Sequence, residues 1–241
     1  MYKILLLILL VLYGVYRTIV YTLFYYIPIQ NGLSHYRGKL NYNIYKANGT
    51  IEYVEYSDKD FSLLIELYNK RENFISIPNV NFPKEKIDEV NLYVSHRMEN
   101  HNDMTRFHRA NRFLNEARKQ SYLALKISNL IAFFECLFSI KNEDRIAHNI
   151  SMRSSEFLFI YDKTILKDGT YKTLKSSYDI RSKYVHGDKL KDAHSKIIDL
   201  QLYSVNLDNL ARIVYNTILD NNLEIFNDNT NIKAYLESVH K

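Results

Sequence analysis

The chain has 241 residues, a length for one or two domains, and its 46% hydrophobic residues suffice for a core, which excludes a wholly disordered protein. With 6 glycines, 3 prolines and one cysteine, Cys136, the composition argues against a many-stranded barrel, a disulfide scaffold and a cysteine-based zinc site. A net charge of +5 permits contact with nucleic acid or anionic lipid and requires neither.

The first element is an apolar segment, residues 4–29, that predicts membrane contact. Residues 4–16 read ILLLILLVLYGVY, Arg17 interrupts the run, and IVYTLFYYIPI resumes it. A helix over residues 4–27 is long enough to span a bilayer, and its fifteen Leu, Ile, Phe and Val residues outweigh the roughly 3 kcal/mol cost of one Arg. Arg37, Lys39 and Lys46 follow, so the positive-inside rule leaves the rest of the chain in the cytoplasm.

Two other interpretations of residues 4–29 stay open. The segment is either a buried helix or strand, or it lies upstream of the true translation start. A cleaved signal peptide is disfavoured, since no small-x-small cleavage site follows the run.

A β-hairpin is predicted next, over residues 40–56. Two β-prone runs flank Asn48-Gly49, a pair typical of two-residue turns in which both positions have positive φ. This hairpin completes an N-terminal region of residues 1–57.

The remainder predicts a mainly α protein: a helical lead-in over 58–100, a bundle over 101–225 and a tail over 226–241. Apolar residues at helical spacing predict helices after Asp58, around 87–94, 107–117, 144–161, 173–186 and 195–219, with a loop at 163–169. Residues 123–140 are apolar nearly all round, which predicts a central buried helix. One predicted helix face comprises Phe107, Ala110, Phe113, Leu114 and Ala117, and another comprises Ile146, Ile150, Phe157 and Ile160.

The stretch YDIRSKYVHG, residues 178–187, carries the chemistry. Arg181 offers a permanently charged fork that matches phosphate oxygens, and His186 is an acid or base near neutral pH. Gly187 is a natural residue just past a helix end. Because five residues of helix give about 7.5 Å of rise and about 140° of rotation, one helix does not direct both side chains at one phosphate unless it ends near Val185, an ending that Gly187 suggests.

This stretch resembles the signature of the HEPN superfamily, specifically the ApeA-like HEPN domain. LIAFFECLFSI (130–140) is similar to that family's central helix with its acidic residue, here Glu135. RIAHNISMRSSEFL (145–158) is similar to the helix that follows, with Arg153 at the arginine position.

The resemblance implies a HEPN-type helical bundle that forms a homodimer and brings two Arg-x4–6-His motifs together. It also implies a metal-independent endoribonuclease of defence or growth-arrest systems, with RNA as substrate and no cofactor. Arg181 and His186 are then the catalytic residues, supported by Glu135, Ser182, Tyr184 and Arg153. Ser182 departs from the Asn or Asp that often follows the motif arginine.

Plainer interpretations accompany these predictions. His186 offsets a helix dipole, or Arg181 pairs with Glu135 or Asp179 inside the bundle. A carboxylate in an apolar helix requires a partner, which is Arg181 or Arg153 for Glu135. A series of arginines tracks an RNA backbone or is a solvated helix face: Arg106, Arg109, Arg112 and Arg118. The histidines at 96, 101 and 108 lack the spacing of a metal site.

Overall fold

The computed structural model describes residues 24–29, 32–37, 45–51, 57–74, 104–228 and 231–238. Two strands, β1 (Phe24–Ile29) and β2 (Gly32–Arg37), pair antiparallel with Ile29 opposite Gly32. The end of the apolar N-terminal segment is therefore a strand rather than the last turn of a helix over 4–27, and residues 4–23 lie outside the described residues. Among the described residues, no helix has the length and apolar character needed to cross a membrane.

Helices make up most of the described chain, which confirms the prediction of a mainly α protein. They are α1 (Asp58–Phe74), α2 (Arg106–Arg118), α3 (Leu123–Phe138), α4 (Ile146–Tyr161), α5 (Lys167–His186), α6 (Asp192–Ser195), α7 (Ile197–Asp220) and α8 (Ile232–Ser238), with a 3-10 turn at Glu224–Phe226. The helix predicted around 87–94 lies outside the described residues. The loop predicted at 163–169 is shorter than expected, because α5 begins at Lys167 and accommodates Gly169 in its first turn.

Helix α3 is the centre of the bundle, as its apolar sequence predicts. It packs against α2, α4, α5 and α7. Leu130, Phe133, Phe134 and Leu137 are fully buried on several sides of this helix. Burial of an aromatic or aliphatic side chain stabilises a fold by about 1.5–3 kcal/mol, so this helix contributes much of the core energy.

Helix α4 buries the middle of its predicted face but not the ends. Ile150 and Phe157 are buried, whereas Ile146 and Ile160 are exposed, as is Phe113 on α2. Ser151, Ser154 and Ser155 are buried as well, and their small side chains let α4 pack closely against α5. Hydrophobic spacing did not predict this serine surface, because serine adds nothing to an apolar pattern.

The predicted turn at Asn48-Gly49 is present in another form. Lys46 N–H donates to the Thr50 carbonyl at 2.8 Å, and Gly49 N–H donates to the Lys46 carbonyl at 2.9 Å. Only Gly49 of the turn has a positive φ, +82°. This pattern fits a three-residue loop with glycine in its left-handed position, not the two-residue turn predicted. Residues 40–44 and 52–56, the predicted strands, lie outside the described residues.

The C-terminal region predicted as a tail is part of the core. The Phe226 ring lies edge-on to those of Phe138 and Phe157, with centroids 5.9 and 5.8 Å apart. Ile232 and Leu236, one turn apart on α8, are buried. These three apolar side chains belong to the same core as the residues of α3 and α4.

Candidate active site

The motif helix ends where the sequence predicts. Helix α5 runs to His186, and Gly187 follows in the left-handed conformation with φ of +71°. The N–H groups of Gly187 and Asp188 donate to the carbonyls of Tyr184 and Lys183, at 3.2 and 2.9 Å. These two hydrogen bonds form a Schellman motif, which provides donors for carbonyls that have no partner at the helix end. His186 therefore lies on the last turn of α5.

Arg181 makes an ion pair with Glu135 of the central helix. Its Nη2 atom lies 2.9 Å from Glu135 Oε2. The Tyr178 hydroxyl donates to the same carboxylate, and the Arg181 guanidinium lies 5.4 Å from the centre of the Tyr178 ring. Of the two partners predicted for Glu135, Arg181 is the one observed. Asp179, the other candidate partner of Arg181, instead pairs with Lys191 at 2.6 Å.

Tyr178 is a residue that the sequence analysis did not identify as part of the site. Its position three residues before Arg181 puts the two side chains on neighbouring parts of one helix face, and this spacing is the signal that was available. Burial, reinforced by the charge of Glu135, raises the pKa of the Tyr178 phenol. The phenol therefore remains a hydrogen-bond donor at neutral pH.

Burial also sets the electrostatics of Glu135. It raises the pKa of this carboxyl, while Arg181 and the Tyr178 hydroxyl act in the opposite direction. The Arg181 and Glu135 side chains remain 26% and 21% exposed. The pair is thus held in place by the fold and is still open to solvent along one edge.

Ser182, Tyr184 and His186 follow Arg181 on the same helix. His186 is exposed, whereas Ser182 and Tyr184 are half-buried. Tyr184 packs edge-on against the Tyr122 ring, with centroids 5.7 Å apart. Helix α5 continues through His186. The side chains of Arg181 and His186 therefore project from its axis in directions about 140° apart.

Arg153 is engaged elsewhere in the fold. Its Nη1 atom lies 2.7 Å from Glu143 Oε2 and donates to the Phe138 carbonyl at 3.0 Å. Glu143 also accepts from Ile140 N–H and from Asn149 Nδ2. Arg153 therefore caps the C-terminus of α3 and joins it to α4, and it does not contact Glu135 through these bonds.

The four arginines predicted to track RNA do not form one open face. Arg106 donates to the Ser139 carbonyl at 2.7 Å, and Arg109 donates to the Met104 carbonyl at 2.6 Å. Arg118 lies 3.8 Å from the buried Asp208 carboxylate, and Arg112 is exposed. Three of these guanidinium groups thus bond within the fold, and an RNA-binding role for the series stays a prediction.

Thiolate chemistry at Cys136 is not supported by its surroundings. Burial raises the pKa of this thiol to about 11, although Arg109 and Arg106 oppose the shift. The thiol therefore stays protonated at neutral pH. Within the described part of the chain, no group of three or more His, Cys, Asp and Glu side chains is arranged to hold a metal ion.

Comparison with known proteins gives no match to a family model, a curated protein or a solved structure. Functional inference for this chain therefore depends on its own residues.

Proposed function

We propose that the chain is a metal-independent endoribonuclease of the HEPN type, which works as a homodimer in cell defence or growth arrest. One observation carries this proposal: a guanidinium fixed by a carboxylate and a phenol, on the same helix end as an exposed imidazole. A cation held in advance of the reaction stabilises developing phosphate charge without reorganisation.

The chemistry needs no group beyond RNA and these side chains. A base removes the proton from the ribose 2′-hydroxyl, and the 2′-oxygen attacks the adjacent phosphorus. The bond from phosphorus to the 5′-oxygen breaks, and an acid protonates that oxygen. His186 is suited to either proton transfer, and Arg181 to the charge on the phosphorane. The products are a 2′,3′-cyclic phosphate and a 5′-hydroxyl end.

A second protomer completes the site. Arg181 and His186 of one α5 diverge by about 140°, so one chain does not direct both at a single phosphate. Two α5 ends related by two-fold symmetry would bring Arg181 of one protomer towards His186 of its partner.

The test is RNA cleavage by the purified full-length chain in EDTA. We expect the parent protein to cut single-stranded RNA and to leave the all-deoxy strand intact, because the attacking 2′-hydroxyl is then absent. His186→Ala should reduce the rate by about 100-fold or more, the usual contribution of a general acid or base. His194→Ala, which removes a histidine outside α5, is the matched control and should cut like the parent.

A non-catalytic module that binds RNA or a partner protein is the second candidate. The observation that favours it is the ion pair itself, since Glu135 already occupies Nη2 of Arg181. It predicts salt-sensitive RNA binding without cleavage products. Cleavage by the parent that is lost in His186→Ala would reject this candidate.

Membrane attachment through residues 4–29, with the bundle in the cytoplasm, is a separate part of the proposal. Carbonate extraction of membranes from cells that express the full chain tests it. Retention in the membrane fraction is expected, and complete release would reject the anchor.

A further inference from the structure

An open cleft of about 680 Å³ lies between the first turn of α4 and the middle of α5. Arg145 and His148 line it from the α4 side, and Lys175 and Tyr178 line it from α5. None of these four residues was predicted from the sequence to have a role.

A hydrogen-bonded relay orients the polar groups of this cleft. Lys175 Nζ donates to the Tyr171 hydroxyl oxygen at 3.3 Å, and the same hydroxyl lies 2.9 Å from His148 Nδ1. The Tyr171 hydroxyl thus links the Lys175 ammonium to the His148 ring.

The charge of the cleft favours an anion. Arg145 and Lys175 contribute two cations, and both side chains belong to exposed residues. Glu143 lines the cleft as well, but Arg153 neutralises its carboxylate at 2.7 Å. Asp144 is the remaining carboxylate in the lining, so the positive groups outnumber it.

The cleft is continuous with the candidate active site through Tyr178. This residue lines the cleft, donates to Glu135 and lies under the Arg181 guanidinium. Lys175 and Arg181 are six residues apart on α5, about 9 Å along its axis and about 120° around it, with Tyr178 between them. A strand that binds Arg181 therefore reaches Lys175 only by passing over Tyr178, so Lys175 would meet a phosphate further along the strand than the next one.

We propose that this cleft is a phosphate subsite for single-stranded RNA, on a part of the strand away from the bond that is cut. Lys175 and Arg145 bind the phosphate, and the His148 ring lies beside them in the lining. The RNA assignment rests on the proposed nuclease function, whereas phosphate binding in the cleft is measurable without cleavage.

The experiment measures binding and cutting separately on the full-length chain. Binding is followed by fluorescence anisotropy with a labelled single-stranded RNA whose 2′-hydroxyls are all 2′-O-methylated, so that it cannot be cut. Lys175→Gln is expected to weaken binding about tenfold, which corresponds to about 1.4 kcal/mol. Arg145→Gln should act in the same direction. Lys172→Gln makes the same charge change at an exposed position of α5 outside the cleft lining and should change affinity less than twofold.

The outcomes separate the subsite from the nuclease. Parental affinity in both Lys175→Gln and Arg145→Gln overturns the subsite, even if His186→Ala abolishes cutting. An intact parent that never cuts RNA but loses affinity with Lys175→Gln rejects the nuclease and supports phosphate binding in the cleft. If Lys175→Gln weakens binding of adenosine monophosphate but not of the RNA, the cleft takes a free nucleotide and the RNA assignment is wrong.

Discussion

Two arginine–glutamate pairs connect the central helix α3 to its neighbours, and they differ in their exposure. Arg153 and Glu143 are 9% and 10% exposed, and both make further bonds to the backbone at the α3–α4 corner. Arg181 and Glu135 are 26% and 21% exposed, and their further contacts are to Tyr178, which also lines a cleft. The two pairs have similar N–O distances, 2.7 and 2.9 Å, in different surroundings.

This difference distinguishes a closed pair from a more open one. Arg153 Nη1 donates to the Phe138 carbonyl and to Glu143, and Glu143 also accepts from Ile140 N–H and Asn149 Nδ2. The Arg181–Glu135 pair is more exposed, which leaves part of the guanidinium accessible to solvent. Under the proposed function, Arg153 stabilises the α3–α4 corner and Arg181 acts in the site.

Arg153→Met should have the largest effect on stability. Removing this guanidinium takes the salt-bridge partner from the mostly buried Glu143 carboxylate. Because Arg106 still interacts with Glu143 and this residue borders the cleft, we expect a loss near the lower end of the about 3–5 kcal/mol that breaking a buried pair costs in the free energy of unfolding. Urea unfolding followed by circular dichroism measures it.

Arg181→Met makes the same substitution in the more exposed Arg181–Glu135 pair. Because solvent and Tyr178 still solvate Glu135, we expect a loss of only about 1 kcal/mol. Equal losses of unfolding free energy for Arg153→Met and Arg181→Met would contradict the distinction between the two pairs.

Gly187→Ala tests how much the Schellman motif at the C-terminal end of α5 contributes to stability. A Cβ at this position would meet no atom within 4 Å, so the effect comes only from the φ of +71°. A left-handed residue with a Cβ costs roughly 1–2 kcal/mol, and we expect a loss near the lower value. Gly169→Ala, in the first turn of α5 with no left-handed φ, is the control and should not destabilise the protein. Unchanged stability in Gly187→Ala would mean that the Schellman motif does not hold the helix end.

Glu135→Gln should change how stability depends on pH, and this effect should be smaller than the stability losses of the three preceding variants. Burial raises the pKa of Glu135 above its ordinary value, so the folded state binds this proton more tightly than the unfolded state. The Glu135 contribution to stability is therefore greatest at low pH, below the unfolded pKa. It declines as pH rises from about 4.3 through the folded pKa.

The measurement is the parent-minus-variant difference in unfolding free energy across this pH window. We expect the difference to fall as pH rises and to level off above the folded pKa. A difference that grows with pH would mean that the ion pair with Arg181 outweighs burial at Glu135.

Local sequence rules predicted the elements of the fold that depend on neighbouring residues. The all-round apolar run of α3 predicted its central position, and Gly187 predicted the end of α5. The pairing of Glu135 with Arg181 or Arg153 followed from the cost of an unpaired carboxylate in an apolar helix.

The features that were not predicted depend on contacts distant in sequence. The bond from Arg153 to the Phe138 carbonyl is set by how α4 turns back on α3, and no local pattern records it. The serine face of α4 and the burial of Phe226 depend likewise on which surfaces meet. In the site, Tyr178 was missed because its role requires both Arg181 and Glu135 to be in place.

The most direct test of the proposed composite site is complementation between two inactive protomers. Arg181→Met and His186→Ala chains are co-expressed with different tags, and the heterodimer is isolated through both tags. Each homodimer should be inactive, whereas the heterodimer retains one intact pairing of Arg181 with His186 of the partner subunit. We predict that it cuts RNA at about half the rate of the parent dimer, since one of two symmetric sites survives. A heterodimer as inactive as the two homodimers would contradict a site shared between protomers.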